Sequence, residues 1–262
     1  MFSIITVCLN AGDDLILTIE SALNQTYSDF EIIVKDGFST DGSVEMIPKD
    51  DRIRLIQKKD NGIYDAMNQG IEVASGQYII FMNAGDKFYN NKVLANLIDG
   101  IGKNPGDLYY GRCYNRVLKV VDPAPKQLTK YFCYRSMICH QATIYSSSML
   151  KRRGYDVTYT VSADRERMLY AVLMENVKCV YLPIIVVSFQ GGGFCTTERA
   201  KKLLKCEQSR MRKCYFTSTE QIIFFLKYQI TLPWLRKLIV KNRKIAKMYR
   251  NFISKLYGNK NF

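Results

Sequence analysis

Histidine and tryptophan occur once each in this 262-residue chain, as His140 and Trp234, and proline only six times. The eight cysteines include no CxxC pair, and the run Cys133, Cys139, His140 fits no tetrahedral zinc spacing. Several of those thiols sit inside apolar runs, where cysteine behaves as a small hydrophobe, so a reducing compartment is expected rather than a disulfide framework. No stretch of 18 uncharged apolar residues occurs, which argues against a conventional spanning helix. No secretory leader is expected at the start, because the apolar residues 2–7 are followed at once by Asn10, Asp13 and Asp14. Internal repeats and low-complexity linkers are also missing. Acid is scarce at one end only. From Arg199 onward 17 Lys and Arg face just Glu207 and Glu220, a balance of +15, within a whole-chain charge of +14. The body is therefore near neutral and the tail carries the excess, a split that points to an anionic surface.

What is present is a regular alternation. Hydrophobic residues make up 47% of the chain, enough for a real core. "FSIITV" reads as a buried strand, and Asp13-Asp14 open a helix to about Asn24. "EIIVK" is a second strand, "STDGSVEMI" starts a short helix, and "RIRLIQ" is a third strand. Residues 63–74 place Ile63, Met67, Ile71 and Ala74 on one helical face, and a strand over 77–82 follows. This order predicts a mostly parallel sheet with helices on both faces, which binds ligands beyond the carboxyl ends of its strands. Polar residues stand at those ends: Asn10, Asp36, Asp60-Asn61 and Asp86. Each could equally be a cap or a turn residue. Later segments read as strands at "GDLYYGRC" and "RVLKVVD", a strand-to-helix turn at "HQATIYSSSML", a helix opened by Ser162 at "SADRERMLYAVLMEN", and a long strand at "VKCVYLPIIVVSF".

The segment "YIIFMNAGDKFY" ends an apolar strand on a carboxylate. Desolvating Asp86 there is unfavourable unless positive charge compensates. A divalent ion bridging a diphosphate supplies that charge through oxygen ligands, and Ala84 and Gly85 leave the approach open.

The stretches "SIITVCLNAGDDLILTIESALNQTYSDFEIIVKDGFSTDGS" and "DNGIYDAMNQGIEVASGQYIIFMNAGD" resemble the opening of glycosyltransferase family 2, an inverting family with the Rossmann-like GT-A fold. "CHQATIYSSSML", "SADRE" and "FQGGGF" are similar to later blocks of bacterial members that build polysaccharides and O-antigens. The resemblance covers residues 2–198 and implies a catalytic domain over 1–198 and a helical basic tail over 199–262. It implies that Thr6 and Asn10 line the nucleotide pocket and that Asp36 hydrogen-bonds the base, usually uracil. Asp60, Asp65 and Asn68 would lie near the nucleotide and donor sugar. Asp86 matches the last acid of the DxD metal motif, with Mn²⁺ or Mg²⁺ the implied cofactor. Asn83 or Ala84 stands where the first acid would be, so metal dependence would rest on Asp86 and the diphosphate. Asp164 matches the general base, with Glu166 its nearest rival, and His140 and Gln141 fall on the acceptor side. The implied partners are a nucleotide-sugar donor, UDP-linked, and a saccharide acceptor carried on lipid.

Residues 219–257 combine apolar residues at helical spacing with Lys and Arg, which suits the plane of a membrane interface with Trp234 as an anchor. The expected location is the inner face of the cell membrane, peripherally bound. No nucleic-acid module is recognisable. Gly191-Gly192-Gly193 reads as a mobile loop or an ordinary linker. The rival to an enzyme is an idle relative that binds nucleotide or lipid as a scaffold, motivated by the incomplete metal motif.

Overall fold

The structure, a computed structural model, describes residues 1–191 and 197–230. Gly192 and Gly193 of the expected glycine loop, and the expected basic helix after Pro233 with Trp234, lie outside the described residues. A nine-stranded sheet forms the centre. Its first half is parallel: β1 (Phe2–Cys8) lies between β2 (Phe30–Asp36) and β4 (Tyr78–Phe81), and β3 (Ile53–Gln57) continues beyond β2. The second half is mixed. Strand β8 (Thr143–Ser146) runs antiparallel between β4 and β6 (Leu108–Asn115), β9 (Cys179–Phe189) runs parallel to β6, and β5 (Lys87–Phe88) closes the far edge. The hairpin strand β7 (Val120–Asp122) pairs with β6.

Successive strand residues point to opposite faces, so adjacent isoleucines feed two cores. Ile4, Ile32 and Ile80 pack under α1 (Asp13–Leu23) and α3 (Val93–Lys103) through Leu15, Ile19, Leu94 and Leu97. Ile5, Ile33 and Ile79 pack on the other face under α2 (Ile63–Val73), through Tyr64, Met67 and Ile71. That second core also takes in α4 (Lys130–Arg135), α5 (Ser147–Arg152) and α6 (Ala163–Leu173). The expected α/β architecture with helices on both faces is therefore present.

One expected helix is not formed. Residues 39–47 make turns, because Asp41 accepts from the Ser43 backbone N–H (3.1 Å) and hydroxyl (2.6 Å), and Gly42 takes φ +79°. Such a local side-chain turn competes with helix, and Pro48 follows at once. Past residue 198, α7 (Glu198–Tyr215) and α8 (Ser218–Ile230) continue the chain. Met211 and Phe216 join the same cluster as Met168 and Leu169 of α6, so α7 is packed on the body. Phe224 of α8 stacks on Tyr131 and Tyr134 of α4 at 5.5 and 5.3 Å.

Candidate active site

The loops beyond β1 and β2 are stitched to each other. Asn10 adopts a left-handed φ of +52°, its N–H donates to the Ser39 hydroxyl (2.8 Å), and its Oδ1 accepts from the Thr40 N–H (2.8 Å). Beneath them Asp36 is buried. It accepts from the backbone N–H groups of Phe38 (3.1 Å) and Ser39 (3.0 Å), the Ser39 hydroxyl and the Gln57 amide (3.3 Å). Burial works against its charge, but the Ser39 and Gln57 donors outweigh it and hold the carboxyl below the ordinary range. Asp36 thus organises its own loop. Beside it Lys35, fully buried, meets Asp60 at 2.8 Å and donates to the carbonyls of Asp36 (3.0 Å) and Lys58 (2.6 Å). Asp65 accepts from the Asn61 N–H at 2.8 Å in the first turn of α2.

Thr6 lies fully buried in β1, paired with Val34 of β2, so its side chain is closed off from solvent. Asn68 uses both ends of its amide on the backbone of Tyr155, at 2.8 and 2.9 Å, clasping α2 to the segment before α6 at the edge of a cavity also lined by Glu72 and Arg153.

The turn after β4 is clasped by α1. Gly85 N–H donates to the Asp14 carbonyl (2.9 Å), and the Thr18 hydroxyl donates to the Asp86 carbonyl (2.8 Å) and lies 3.2 Å from that of Asn83. Gly85 has φ +90°, a conformation that favours glycine, and the Gln190 side-chain amide packs directly over it. Asp86 is 3% exposed. Its oxygens accept from the Gln190 N–H (2.8 Å) and the Gln141 amide (3.1 Å). Burial pushes its carboxyl up to about 6, against the Gln190 and Gln141 donors and the charge of Arg116. Arg116, from the β6–β7 turn, donates to the Gly85 carbonyl.

A buried carboxylate raised this far lacks a full counter-charge, and hard oxygen donors are what Mg²⁺ and Mn²⁺ take. Asp86 and Asp14, which flank Gly85, fit a divalent cation shared with phosphate oxygens. Among the described residues no three His, Cys, Asp or Glu side chains converge to hold a metal unaided.

From Asp86 a polar chain runs inward. Gln141 and His140 share one short 3₁₀ turn, residues His140–Ala142. His140 is buried, and its Nε2 lies 2.8 Å from the Tyr155 hydroxyl. Burial lowers its pKa against the nearby charge of Asp164, so the imidazole is neutral at pH 7. The Tyr155 ring stacks against Tyr64 at 5.5 Å, and the Tyr64 hydroxyl donates to Asp164 Oδ1 at 3.0 Å. Tyr64 stands in the first turn of α2, just past the end of β3, so Asp164 meets the sheet at its carboxyl edge. Asp86 and Asp164 thus lie at the two ends of one connected cluster.

Asp164 opens α6, where a negative charge is favoured by the helix N-terminus. Glu166, its nearest rival, is engaged elsewhere. It is buried, held by Arg153 at 2.8 and 3.1 Å, and bonded by the Tyr215 hydroxyl. Ser162 occupies the cap position but does not cap; its hydroxyl donates to Glu207 of α7 at 2.6 Å. Glu207 also gathers the Thr160 N–H (2.7 Å) and hydroxyl (3.0 Å) and the Val161 N–H (3.3 Å). Sequence reasoning missed Tyr64, Tyr155, Arg116, Gln190 and Glu207. Of these only Gln190, beside a glycine run at a strand end, carries a local signal.

The sequence profile of Glycosyl transferase family 2 matches residues 3–164. The chain belongs to glycosyltransferase family 2. This glycosyltransferase is 32% identical over 213 residues to a PGL/p-HBAD biosynthesis glycosyltransferase of Mycobacterium bovis, covering 78% of this chain and 83% of that one. Its fold is of the GT-A type. It superposes on S. aureus TarS 1-349, solved with UDP-GlcNAc, with a TM-score of 0.65 at 16% identity, over 78% of this chain and 64% of TarS. The UDP complex of the same TarS fragment is matched over 60% of its length, so the glycosyltransferase spans somewhat under two thirds of those structures. The mannosyltransferase PcManGT of Pyrobaculum calidifontis, solved with GDP-Man and Mn²⁺, matches with a TM-score of 0.56 at 13% identity over 99% of this chain and 88% of that one.

Proposed function

We propose that this glycosyltransferase moves a sugar from a UDP-sugar to a hydroxyl of a lipid-carried saccharide, with inversion at the anomeric carbon, at the inner face of a membrane. The observation that carries the reading is the pair of carboxylates at opposite ends of the Gln141–His140–Tyr155–Tyr64 cluster. Asp86 marks the diphosphate end and Asp164 the acceptor end. The solved likenesses bound to UDP, UDP-GlcNAc and GDP-Man with Mn²⁺ support a nucleotide-sugar donor.

The residues then divide the work. Asp164 takes the proton of the attacking hydroxyl, which is a poor nucleophile until that proton leaves. The Tyr64 hydroxyl fixes the direction of its Oδ1, leaving the other oxygen for the acceptor. His140, neutral and tied to Tyr155, gives a rigid wall between the two ends. Gln141 and the Gln190 N–H hold Asp86 in one rotamer, and Asp86 with Asp14 would hold a divalent ion. Such an ion, when bound, neutralises charge developing on the departing diphosphate. Asn10, Asp60 and Asp65 belong to the loops that would enclose the nucleoside.

The test is UDP release by purified protein from a panel of UDP-sugars with Mn²⁺ and a membrane lipid extract. Release should need both an acceptor fraction and the metal, and should vanish in Asp86→Ala. Release by Asp86→Ala at the wild-type rate would remove the assignment of that end of the site, and GDP release from GDP-sugars run in parallel, with no UDP release, would remove that of the donor.

A further inference from the structure

Helix α8 has two apolar faces. The inner one is satisfied: Phe224 packs on Tyr131, Tyr134 and Phe216 at 5.5, 5.3 and 6.1 Å. The outer one presents Ile222 (62% exposed), Ile223 (53%), Phe225 (53%) and Leu226 (57%). Single exposed hydrophobics are ordinary, but four large ones side by side on one helix form a patch that marks a contact surface.

Charge selects the occupant. The acid of this helix, Glu220, is already paired with Lys130 at 2.5 Å. Lys227 lies over the Tyr131 ring at 4.5 Å, and Lys201, Lys202, Lys205 and Lys213 are exposed along α7. Residues 231–262, which continue directly from α8, hold nine Lys and Arg and no Asp or Glu. A second copy would bring +14 against +14, whereas an anionic bilayer complements both the charge and the apolar stripe. The patch also stands close to the chemistry. Phe224 stacks on Tyr134, whose carbonyl accepts from Arg165 Nη2 at 3.0 Å, and Arg165 follows Asp164 directly.

We propose that the outer face of α8 is the bilayer-docking surface of this enzyme, lying flat in an anionic interface one packed layer from Asp164. The docking itself stands on the patch and its charge; only its use, presenting a lipid-borne acceptor, rests on the function proposed above.

The full-length chain is mixed with vesicles of phosphatidylcholine and phosphatidylglycerol (about 70:30), and with phosphatidylcholine alone, and sedimented without donor or acceptor. Wild type should pellet with the anionic vesicles and far less with the neutral ones. The combined variant Ile222→Ser, Ile223→Ser, Phe225→Ser, Leu226→Ser should partition at least about tenfold more weakly with an unchanged melting temperature. Equal pelleting of variant and wild type overturns the proposal. A second probe, Phe225→Trp in a Trp234→Phe background, should shift its emission to the blue only when anionic vesicles are added. Emission already blue in buffer and indifferent to vesicles means that residues 231–262 or another copy cover the face, and also overturns it. Because these vesicles carry no substrate, a failed transferase assay leaves the docking result standing. A working transferase with vesicle-indifferent α8 sinks the docking alone.

Discussion

The two halves of the sheet hold their carboxylates differently. Between β1 and β4 the grip is mostly local. Asp36 is held by N–H groups two and three residues on, Asp41 by Ser43, and Asp65 by Asn61. From β6 onward the grip is long-range. Asp164 is bonded by Tyr64 from 100 residues away, Glu166 by Tyr215 from 49, and Ser162, just before Asp164, by Glu207 from 45. Asp86 sits at the seam and is bonded across 55 and 104 residues by Gln141 and Gln190. The contrast is that the loops beyond β1 and β2 are held largely by their own residues, while the start of α6 is held by partners in α2 and α7.

The sharpest way to break that contrast lies within one helical turn. Asp164→Asn removes the proposed proton acceptor and should lower turnover about 10³-fold, equivalent to about 4 kcal/mol of barrier, with the donor KM little changed. Glu166→Gln leaves Arg153, which is 28% exposed, with a neutral partner, so it should lower stability by about 1–2 kcal/mol while sparing the rate per folded molecule. Steady-state kinetics beside thermal melts separates the two. If Glu166→Gln stops turnover and Asp164→Asn does not, the assignment of the base is reversed.

On the other side, Lys35→Met removes the cation that joins Asp60 to the carbonyls of Asp36 and Lys58. The loss should be about 2–3 kcal/mol in urea unfolding, since Asp60 keeps some solvent, with weaker donor binding as its loops loosen. An unchanged unfolding midpoint would show that the loops beyond β1 and β2 hold themselves.

Glu207→Gln probes the reach of α7. The residue touches no reacting group and acts through the Thr160–Ser162 backbone, so it is a positioning residue. Turnover should fall about 10–30-fold, or about 1.4–2 kcal/mol, with the donor KM unmoved. A purely structural role would lower melting temperature and leave kcat of the folded fraction intact.

This division also explains what could be read from residues alone. The parallel half was legible because its signals are local: an apolar run, then an acid or asparagine where the strand gives way to a turn. Asp36, Asp60 and Asp86 fall where such a pattern puts them, at the strand ends. The turn at Asp41 was misread because an Asx turn and a helix start share the same residues. Thr6 and Asn68 were placed by likeness, and their surroundings depend on distant segments: β2 beside β1 and the Tyr155 backbone. Tyr64, Tyr155 and Glu207 gave no signal. A tyrosine that orients a carboxylate and one that fills a core look the same until the chain brings them together.

The smallest test stays on the parallel half, at a carboxylate held by partners 28 to 45 residues away. Glu31 on β2 accepts from the Ser3 hydroxyl (2.5 Å), the Ser75 N–H (2.7 Å) and hydroxyl (2.8 Å), and the Gly76 N–H (3.2 Å), fastening the turn before β4. Burial opposes its charge, but these donors prevail and hold the carboxyl below its ordinary range. A carboxyl lowered by folding stabilises the protein above its unfolded pKa, and that contribution is lost as pH falls through the folded value. Glu31→Gln should therefore be less stable by about 1 kcal/mol at pH 7, with a shallower loss of stability between about pH 5 and 3. Parallel melting curves at pH 7 and 4 check this. A constant gap between the two proteins at both values would mean that shape, not charge, fastens the turn.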